Sequence, residues 1–415
     1  MDVIVENPNH IDNAEIIVGI PSCNEADSIA YPTDMASKGL TTYFPDKKSV
    51  IINVDNNSPD GTKDAFMNTP TKVPKIYIST PDGVKGKGNN FSNLFEAAVE
   101  LHAKAVVVVD ADLKSITPQW IQYLGEPLFA GFSYVTPIYV RHKYDGSITN
   151  HIAYPLLRTL FGLRVRQPIG GDFGFSGRLA RAFLSEKLWN DNIANFGIDI
   201  WMTTIAIARR FKTCQTFLGS SKSHRTKDPA KDLGPMFSQV VSTFFDLMID
   251  FEYLWKDTIE SCPSSIFGFG LGVEEKPPAV NVDTDALYKS CVSGFEQYGK
   301  VWEKIMPKPE LINFSKTKKL SKEQFYYPTD LWARILFSFA IAYRNNTLPR
   351  EQIIESMIPF YHSRILSFVN KTTHMGIKEC EEYFESINRI FENEKYYLIK
   401  RWDEDQKKLV NKLFK

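Results

Sequence analysis

Two aspartates one residue apart, Asp110-Ala111-Asp112, close a run of four valines from Val106 to Val109. So apolar a run reads as a strand buried on both faces, and it delivers both carboxylates together at the strand's end. Paired carboxylates in that position suit a hard divalent cation. Mg²⁺ or Mn²⁺ takes oxygen ligands, commonly one or two carboxylates with phosphate oxygens completing the shell. A D-x-D also arises by chance in acidic turns, so its weight depends on what accompanies it.

Three further stretches accompany it. Pro21-Ser22-Cys23-Asn24-Glu25 and Asp55-Asn56-Asn57-Ser58 each follow an apolar run and carry acceptors suited to a nucleobase and ribose. Ser58 or Asp60 would serve equally well as a helix cap, and Asp60-Gly61 as a turn. Lys85-Gly86-Lys87-Gly88-Asn89-Asn90 leads a loop into a helix start, with glycines for close approach, outward amides and two lysines. That is anion-binding chemistry, although a solvated basic loop has the same composition. The donor-side candidates are thus Pro21, Asn24, Glu25, Asp55, Asn57, Lys85, Gly86, Lys87, Asp110 and Ala111. A cation held at the D-x-D would offset charge on a departing diphosphate.

The elements that position these residues alternate from Glu15 to about Ser221 between short β-rich runs and helical segments. Strands are expected at Ile16–Ile20, Val50–Val54, Lys75–Ile78 and Ala105–Val109, with a helix from Asn89 to about His102. This pattern predicts an α/β fold, a mainly parallel sheet flanked by helices. The candidates collect beyond the carboxyl ends of strands, the edge where open α/β sheets bind ligands. After about residue 235 the chain turns helical, with segments at Met236–Glu260, Thr284–Ile305, Thr329–Arg344, Arg350–Val369 and Ile377–Glu394. Residues 1–235 are therefore read as the catalytic sheet domain and 236–415 as an α-helical region serving as acceptor side, lid or oligomer interface. Ser264 to Pro278, rich in Gly and Pro, reads as a loop.

With 415 residues and 43% hydrophobic side chains the chain can bury a large core. Its 49 basic and 49 acidic residues cancel, which disfavours nucleic acid and makes a small molecule the expected ligand. Five scattered cysteines show no metal or redox spacing. The polar start, Met1 to Asn13, does not read as a leader, and no run reaches the ~18 apolar residues of a membrane span, so a cytoplasmic protein is expected.

The order P-x-x-N-E, D-N-N-S, G-K-G, D-A-D resembles the nucleotide-sugar half of GT-A-fold glycosyltransferases. Asp145 to Asn150, Tyr154-Pro155-Leu156-Leu157, Gln167-Pro168-Ile169-Gly170-Gly171-Asp172, Gly197-Ile198-Asp199 and His224-Arg225 narrow it. They resemble the enzymes that make glucosylglycerate, glucosyl-3-phosphoglycerate and mannosylglycerate. The resemblance, covering about Ile16 to Arg225, implies a metal, Mg²⁺ or Mn²⁺, on Asp112 and His224. It implies an acceptor turn with Gln167, Gly170, Gly171 and Thr149. It gives catalytic or orienting roles to Asp172, which stands where the family often has Glu, and to Asp199. Transfer of glucose or mannose from UDP- or GDP-linked donors to glycerate or 3-phosphoglycerate is implied, with retention of configuration and a homodimer as one assembly. Asp199 could equally cap the helix that follows it.

Two other classes compete. A nucleotidyltransferase would carry a Gly-rich signature after the first strand, where this chain has Pro21 to Glu25. A non-catalytic sugar-nucleotide-binding protein, or a transferase for another small or polymeric acceptor, also fits the motifs.

Overall fold

The computed structural model describes residues 3–223, 234–268, 277 and 279–413. In chain order the first half contains β1 (Ile4–Glu6), β2 (Ile16–Ser22), α1 (Ala30–Tyr43), β3 (Ser49–Asp55), α2 (Thr62–Asn68), β4 (Lys75–Ser79), α3 (Lys87–Glu100), β5 (Ala105–Val108), α4 (Pro118–Phe129) and β6 (Tyr134–Val140). It continues with α5 (Tyr154–Phe161), β7 (Leu163–Arg164), β8 (Phe173–Ser176), α6 (Gly177–Ser185), α7 (Ile198–Ala208) and β9 (Thr213–Ser221). Then follow α8 (Gly234–Asp250), α9 (Glu252–Asp257), β10 (Cys262–Pro263), β11 (Ser265–Phe267), α10 (Thr284–Ile305), α11 (Lys308–Ser315), α12 (Thr329–Arg344), α13 (Arg350–Thr372) and α14 (Ile377–Leu413).

The chain divides into two compact units, and the boundary is not the single point near 235 that the change in pattern suggested. One unit comprises residues 1–141, 165–226 and 263–278; the other comprises 142–164, 227–262 and 279–415. Composition along the chain reports helix against strand, whereas the units are set by which helices pack together, and α5 packs with helices far downstream.

The sheet unit is built on nine strands in the order β1-β4-β3-β2-β5-β8-β6-β9-β11. β2, β3, β4 and β5 run parallel, and β8 pairs antiparallel with β5 and with β6. β6, β9 and β11 are parallel to one another. This is the expected α/β architecture. β2 and β5 are buried along their whole length, as their unbroken Ile and Val runs require of strands covered on both faces. On one of those faces Ile16, Val18, Ile51, Val107 and Val109 meet Leu40, Trp120, Ile121 and Leu124. The sequence reading missed β11, which lies within the expected loop. Ser265 to Phe267 is too short to show alternation, yet Ile266 pairs with Gln215 and Phe267 with Thr216. The helix expected from Asn89 begins earlier, at Lys87, because Gly86 is its N-cap.

The helical unit holds the remaining segments. The single helix expected over Met236–Glu260 is broken, with Phe251 leaving the helical region between α8 and α9. α14 runs on beyond Glu394 to Leu413. Arg158 on α5 is almost wholly buried, and its guanidinium donates to two carboxylates of α14. Nη1 reaches Glu385 Oε2 at 2.5 Å and Nε reaches Glu392 Oε1 at 2.8 Å. No helix among the described residues is long and apolar enough to cross a membrane.

One titratable group in this unit makes a testable demand. His362 on α13 shares a hydrogen bond of 2.8 Å with Ser290 Oγ on α10, and burial pushes its imidazole down to about 4 from an ordinary 6.5. Between those values the unfolded chain binds a proton that the folded one refuses, so stability falls as pH drops through the window. The loss is at most about 3.4 kcal/mol at 1.36 kcal/mol per unit. Chemical denaturation at pH 6.5 and pH 4 measures it, and His362→Asn is expected to flatten that dependence.

Candidate active site

The sheet's topology brings the polar residues together. β2, β3, β4 and β5 are parallel, so Ser22, Asp55, Ser79 and Asp110 all lie toward one edge. β8 runs the other way, which puts the residue before it, Asp172, on that same edge. β6 and β9 again run with β5, so Tyr139 near the end of β6 and Lys222 just after β9 arrive there too.

Lys222 is the hub. Its side chain is 2% exposed. Its Nζ donates to Asp110 Oδ2 at 2.9 Å, to Asp172 Oδ2 at 2.7 Å and to the Gly170 carbonyl. Asp110 is held from its other side by Lys87 at 3.2 Å, and Lys87 also pairs with Asp199 at 3.4 Å. Two lysines thus bind three carboxylates into one network. Burial opposes the charge on Asp110, but Lys222 and then Lys87 outweigh it and hold this carboxyl well below the usual range. For Asp172 burial prevails, assisted by the Asp110 charge, and its carboxyl is raised despite Lys222. Burial lowers both lysines, but the carboxylates overcome it and raise them, so both stay charged.

Asp172 is not placed as expected. It is fully buried, with Oδ1 accepting from the Asp110 amide at 3.1 Å and Oδ2 accepting from Lys222 and from the Tyr139 hydroxyl. With both oxygens so occupied, it positions Asp110 and Lys222 and does not face a sugar. Gly171, beside it, has φ +80, and a Cβ there would lie 2.1 Å from Asp110 Oδ2. Only glycine allows the turn to pass so close to that carboxylate. Gly170 supplies the carbonyl that Lys222 binds, and Gln167 is buried, its Oε1 without a hydrogen bond among the described residues. Thr149, grouped with this turn from sequence, belongs to the helical unit, in a buried π-helical turn over Thr149–Ala153.

Asp55 likewise serves the scaffold. It is fully buried, accepting from Ser22 Oγ at 2.7 Å and Ser58 Oγ at 2.8 Å on Oδ1, and from the Ser58 amide at 2.7 Å and Tyr77 hydroxyl at 3.0 Å on Oδ2. This knot fixes the loops that follow β2 and β3 against each other. The Asn24 amide donates to Ser58 Oγ and the Glu25 amide to Thr62 Oγ1, both at 2.8 Å. Asn24 and Asn57 are exposed with positive φ, 58° and 52°, on the loops that follow β2 and β3. Pro21 is buried in β2, and Glu25 accepts from Ser28.

The Gly-Lys-Gly segment works by packing. Gly86 has φ +124, and a Cβ on it would lie 2.2 Å from the Ala194 carbonyl oxygen; one on Gly88 would lie 2.0 Å from that of Ile193. The Gly86 amide donates to Asn56 Oδ1 at 3.0 Å, so it is not a free anion contact. The close approach seats Lys87 at the head of α3, aimed at Asp110 and Asp199. Lys85 is exposed.

Asp199 lies buried in the first turn of α7, and its Oδ1 is the oxygen that faces Lys87 Nζ at 3.4 Å. Ala111 is buried, and Asp112 is half-buried after it. His224 lies outside the described residues. The residue before it, Ser223, is bonded on both sides to the stretch after Asp112: its carbonyl accepts from the Lys114 amide at 2.9 Å and its amide donates to Ser115 Oγ at 2.9 Å. That tie holds Ser223 against the stretch that follows Asp112. Asp110, already held by two ammonium groups, is the poorer ligand, since a further cation would have to displace them.

Sequence reading missed Lys222, Tyr139, Asn56 and Asn90. The latter two bond to each other at 2.7 Å, and Asn90 also donates to the Ser22 carbonyl. Lys222 was visible as the only lysine in Ser220 to His224, but nothing local says it turns inward.

Residues 17–189 match the profile of glycosyl transferase family 2. The matched stretch is less than half of the chain, and most of it lies in the sheet unit. No curated protein matches the chain by sequence. Among solved structures it is similar to glucosyl-3-phosphoglycerate synthase from Mycobacterium tuberculosis in complex with Mn²⁺, UDP and glucosyl-3-phosphoglycerate. That match has 25% identity, covers 56% of this chain and 80% of that one, and has a TM-score of 0.46. The same enzyme with Mg²⁺ and UDP gives 25%, 56%, 79% and 0.46. With Mn²⁺, UDP-glucose and phosphoglyceric acid it gives 24%, 56%, 79% and 0.44.

Proposed function

We propose that the protein transfers a hexose, glucose or mannose, from a nucleotide-diphosphate sugar to a small hydroxy acid of the glycerate or 3-phosphoglycerate type, with retention of configuration. The convergence of Asp110, Lys222, Lys87 and Asp199 on one sheet edge, within and beside the stretch that matches glycosyl transferase family 2, carries this reading. The hydroxy-acid acceptor rests on the order of motifs from Asp145 to Arg225.

In this reading Asn24, Glu25 and Asn57 line the nucleoside side, on loops held by the Asp55 knot. Lys87 and Lys222 supply positive charge fixed in advance near the diphosphate, which costs no reorganisation when the leaving group departs. Asp112 and His224 hold Mg²⁺ or Mn²⁺, which when bound offsets diphosphate charge. Asp199, held by Lys87, accepts a hydrogen bond from the acceptor hydroxyl and orients it toward the anomeric carbon. No carboxylate is assigned as a covalent nucleophile, and the leaving phosphate oxygen takes the acceptor proton.

The test is direct. The pure protein is incubated with Mg²⁺ or Mn²⁺, UDP-, GDP- and ADP-sugars, and glycerate or 3-phosphoglycerate, while nucleoside diphosphate release is followed. Release dependent on one acceptor is expected; no release with any pair would sink the proposal. Asp112→Ala and His224→Ala are each expected to weaken metal-dependent binding of the nucleoside diphosphate by roughly tenfold or more, the usual scale for losing one of few protein ligands. Titration calorimetry with and without the metal separates that loss from general damage.

A further inference from the structure

The helical unit contains a cleft of about 360 Å³ lined by Lys304, Ile305, Met306, Ile341, Thr347 and Arg401, among others. That volume is within the range of small-ligand sites. Three arginines of this unit are neutralised across helices: Arg158 by Glu385 and Glu392, Arg334 by Glu394, Arg350 by Asp246. Arg401 is not. Its Nη1 donates to two neutral hydroxyls, Ser338 Oγ at 3.2 Å and Tyr397 at 3.1 Å, and it makes no ion pair among the described residues. The nearest acidic group reached through those bonds is Glu310, whose Oε1 accepts from the Tyr397 hydroxyl at 2.8 Å.

The guanidinium is therefore held in place by groups that do not cancel its charge, while its remaining N–H groups are left for a guest. Lys304, exposed in the last turn of α10, adds a second cation at the same cleft. Lys304 and Arg401 are the charged side chains among the cleft's lining residues, and both are cations. Ile305, Met306 and Ile341 are buried side chains that form an apolar wall beside this polar end. A fork of N–H donors beside an apolar wall matches a carboxylate or phosphate monoester carrying a short hydrocarbon body.

We propose that this cleft is a binding site for a small amphipathic anion, separate from the residues of the sheet edge, with Arg401 as its anchor and Lys304 as its second contact. The test titrates the full-length protein at low salt with butyrate, n-butyl phosphate and the neutral butyramide, followed by calorimetry. At least one anion is expected to bind about tenfold or more tightly than butyramide, and whichever binds better identifies the head group. Arg401→Gln is expected to weaken that binding about tenfold, and Lys304→Glu, at an exposed position, to weaken it as well. Equal binding of butyramide, or anion binding unchanged in the variants, overturns the proposal. If Arg401→Gln fails to fold, Lys304→Glu decides alone, since its position bears no load in the core.

Discussion

Lys222→Met is expected to lower kcat/KM for glycosyl transfer by about a thousandfold, the upper end of what one preorganised donor contributes in a closed site. The expectation rests on what Lys222 separates. Without its ammonium, Asp110 and Asp172 face each other across a buried gap, with Lys87 left on the far side of Asp110 only. Removing one partner of a buried ionic cluster commonly costs about 3–5 kcal/mol, so the melting temperature is expected to fall as well. Lys222→Arg restores the charge and is expected to recover part of the stability and less of the rate, since the longer fork does not fit among two carboxylates and the Gly170 carbonyl. Steady-state rates and thermal unfolding on both variants give the answer. A Lys222→Met enzyme within a few-fold of the parent would mean that the network is scaffolding alone.

Gly171→Ala is expected to be nearly as damaging, and Gly170→Ala nearly silent. At Gly171 a methyl group meets Asp110 Oδ2 at 2.1 Å, on backbone with φ +80. The left-handed backbone costs an L-residue about 1–2 kcal/mol, and the clash adds to it by driving Asp110 off its two lysines. At Gly170 the nearest atoms to an added Cβ are those of Tyr139 at 3.5 Å, ordinary contact, and φ is not positive. Donor affinity and kcat/KM for the two alanine variants form a matched pair. Similar losses in both would show that the turn's general flexibility matters, and not its approach to Asp110.

The sheet was legible because β2, β3 and β5 are buried on both faces and leave unbroken Ile and Val runs. The polar residues past their ends were legible for the same reason. Less readable was the division of labour among them. Asp55, Asp110, Asp172 and Asp199 look alike in sequence, yet Asp55 and Asp172 have both oxygens hydrogen-bonded within the scaffold while Asp199 faces Lys87 at 3.4 Å. That difference depends on Tyr77, Tyr139, Ser22 and Lys222, which arrive from other strands. Glycine was misread in one respect. Gly86 and Gly88 suggested backbone presented to an anion, but each is needed for contact with Ile193 and Ala194, more than a hundred residues later. The boundary near 235 failed because α5 lies amid strand-forming sequence and is claimed by helices that come after it.

That claim has a consequence for how the chain is made. Arg158 leaves the ribosome more than two hundred residues ahead of Glu385 and Glu392, the carboxylates that neutralise it. Contacts of such separation carry a large loop-closure cost and form late. Until α14 is synthesised, α5 holds a guanidinium that cannot be buried without a partner, so the nascent helical unit must wait in an open state. Any chain that stops before Glu385 would leave Arg158 unneutralised, even though every residue of the sheet edge had already been made.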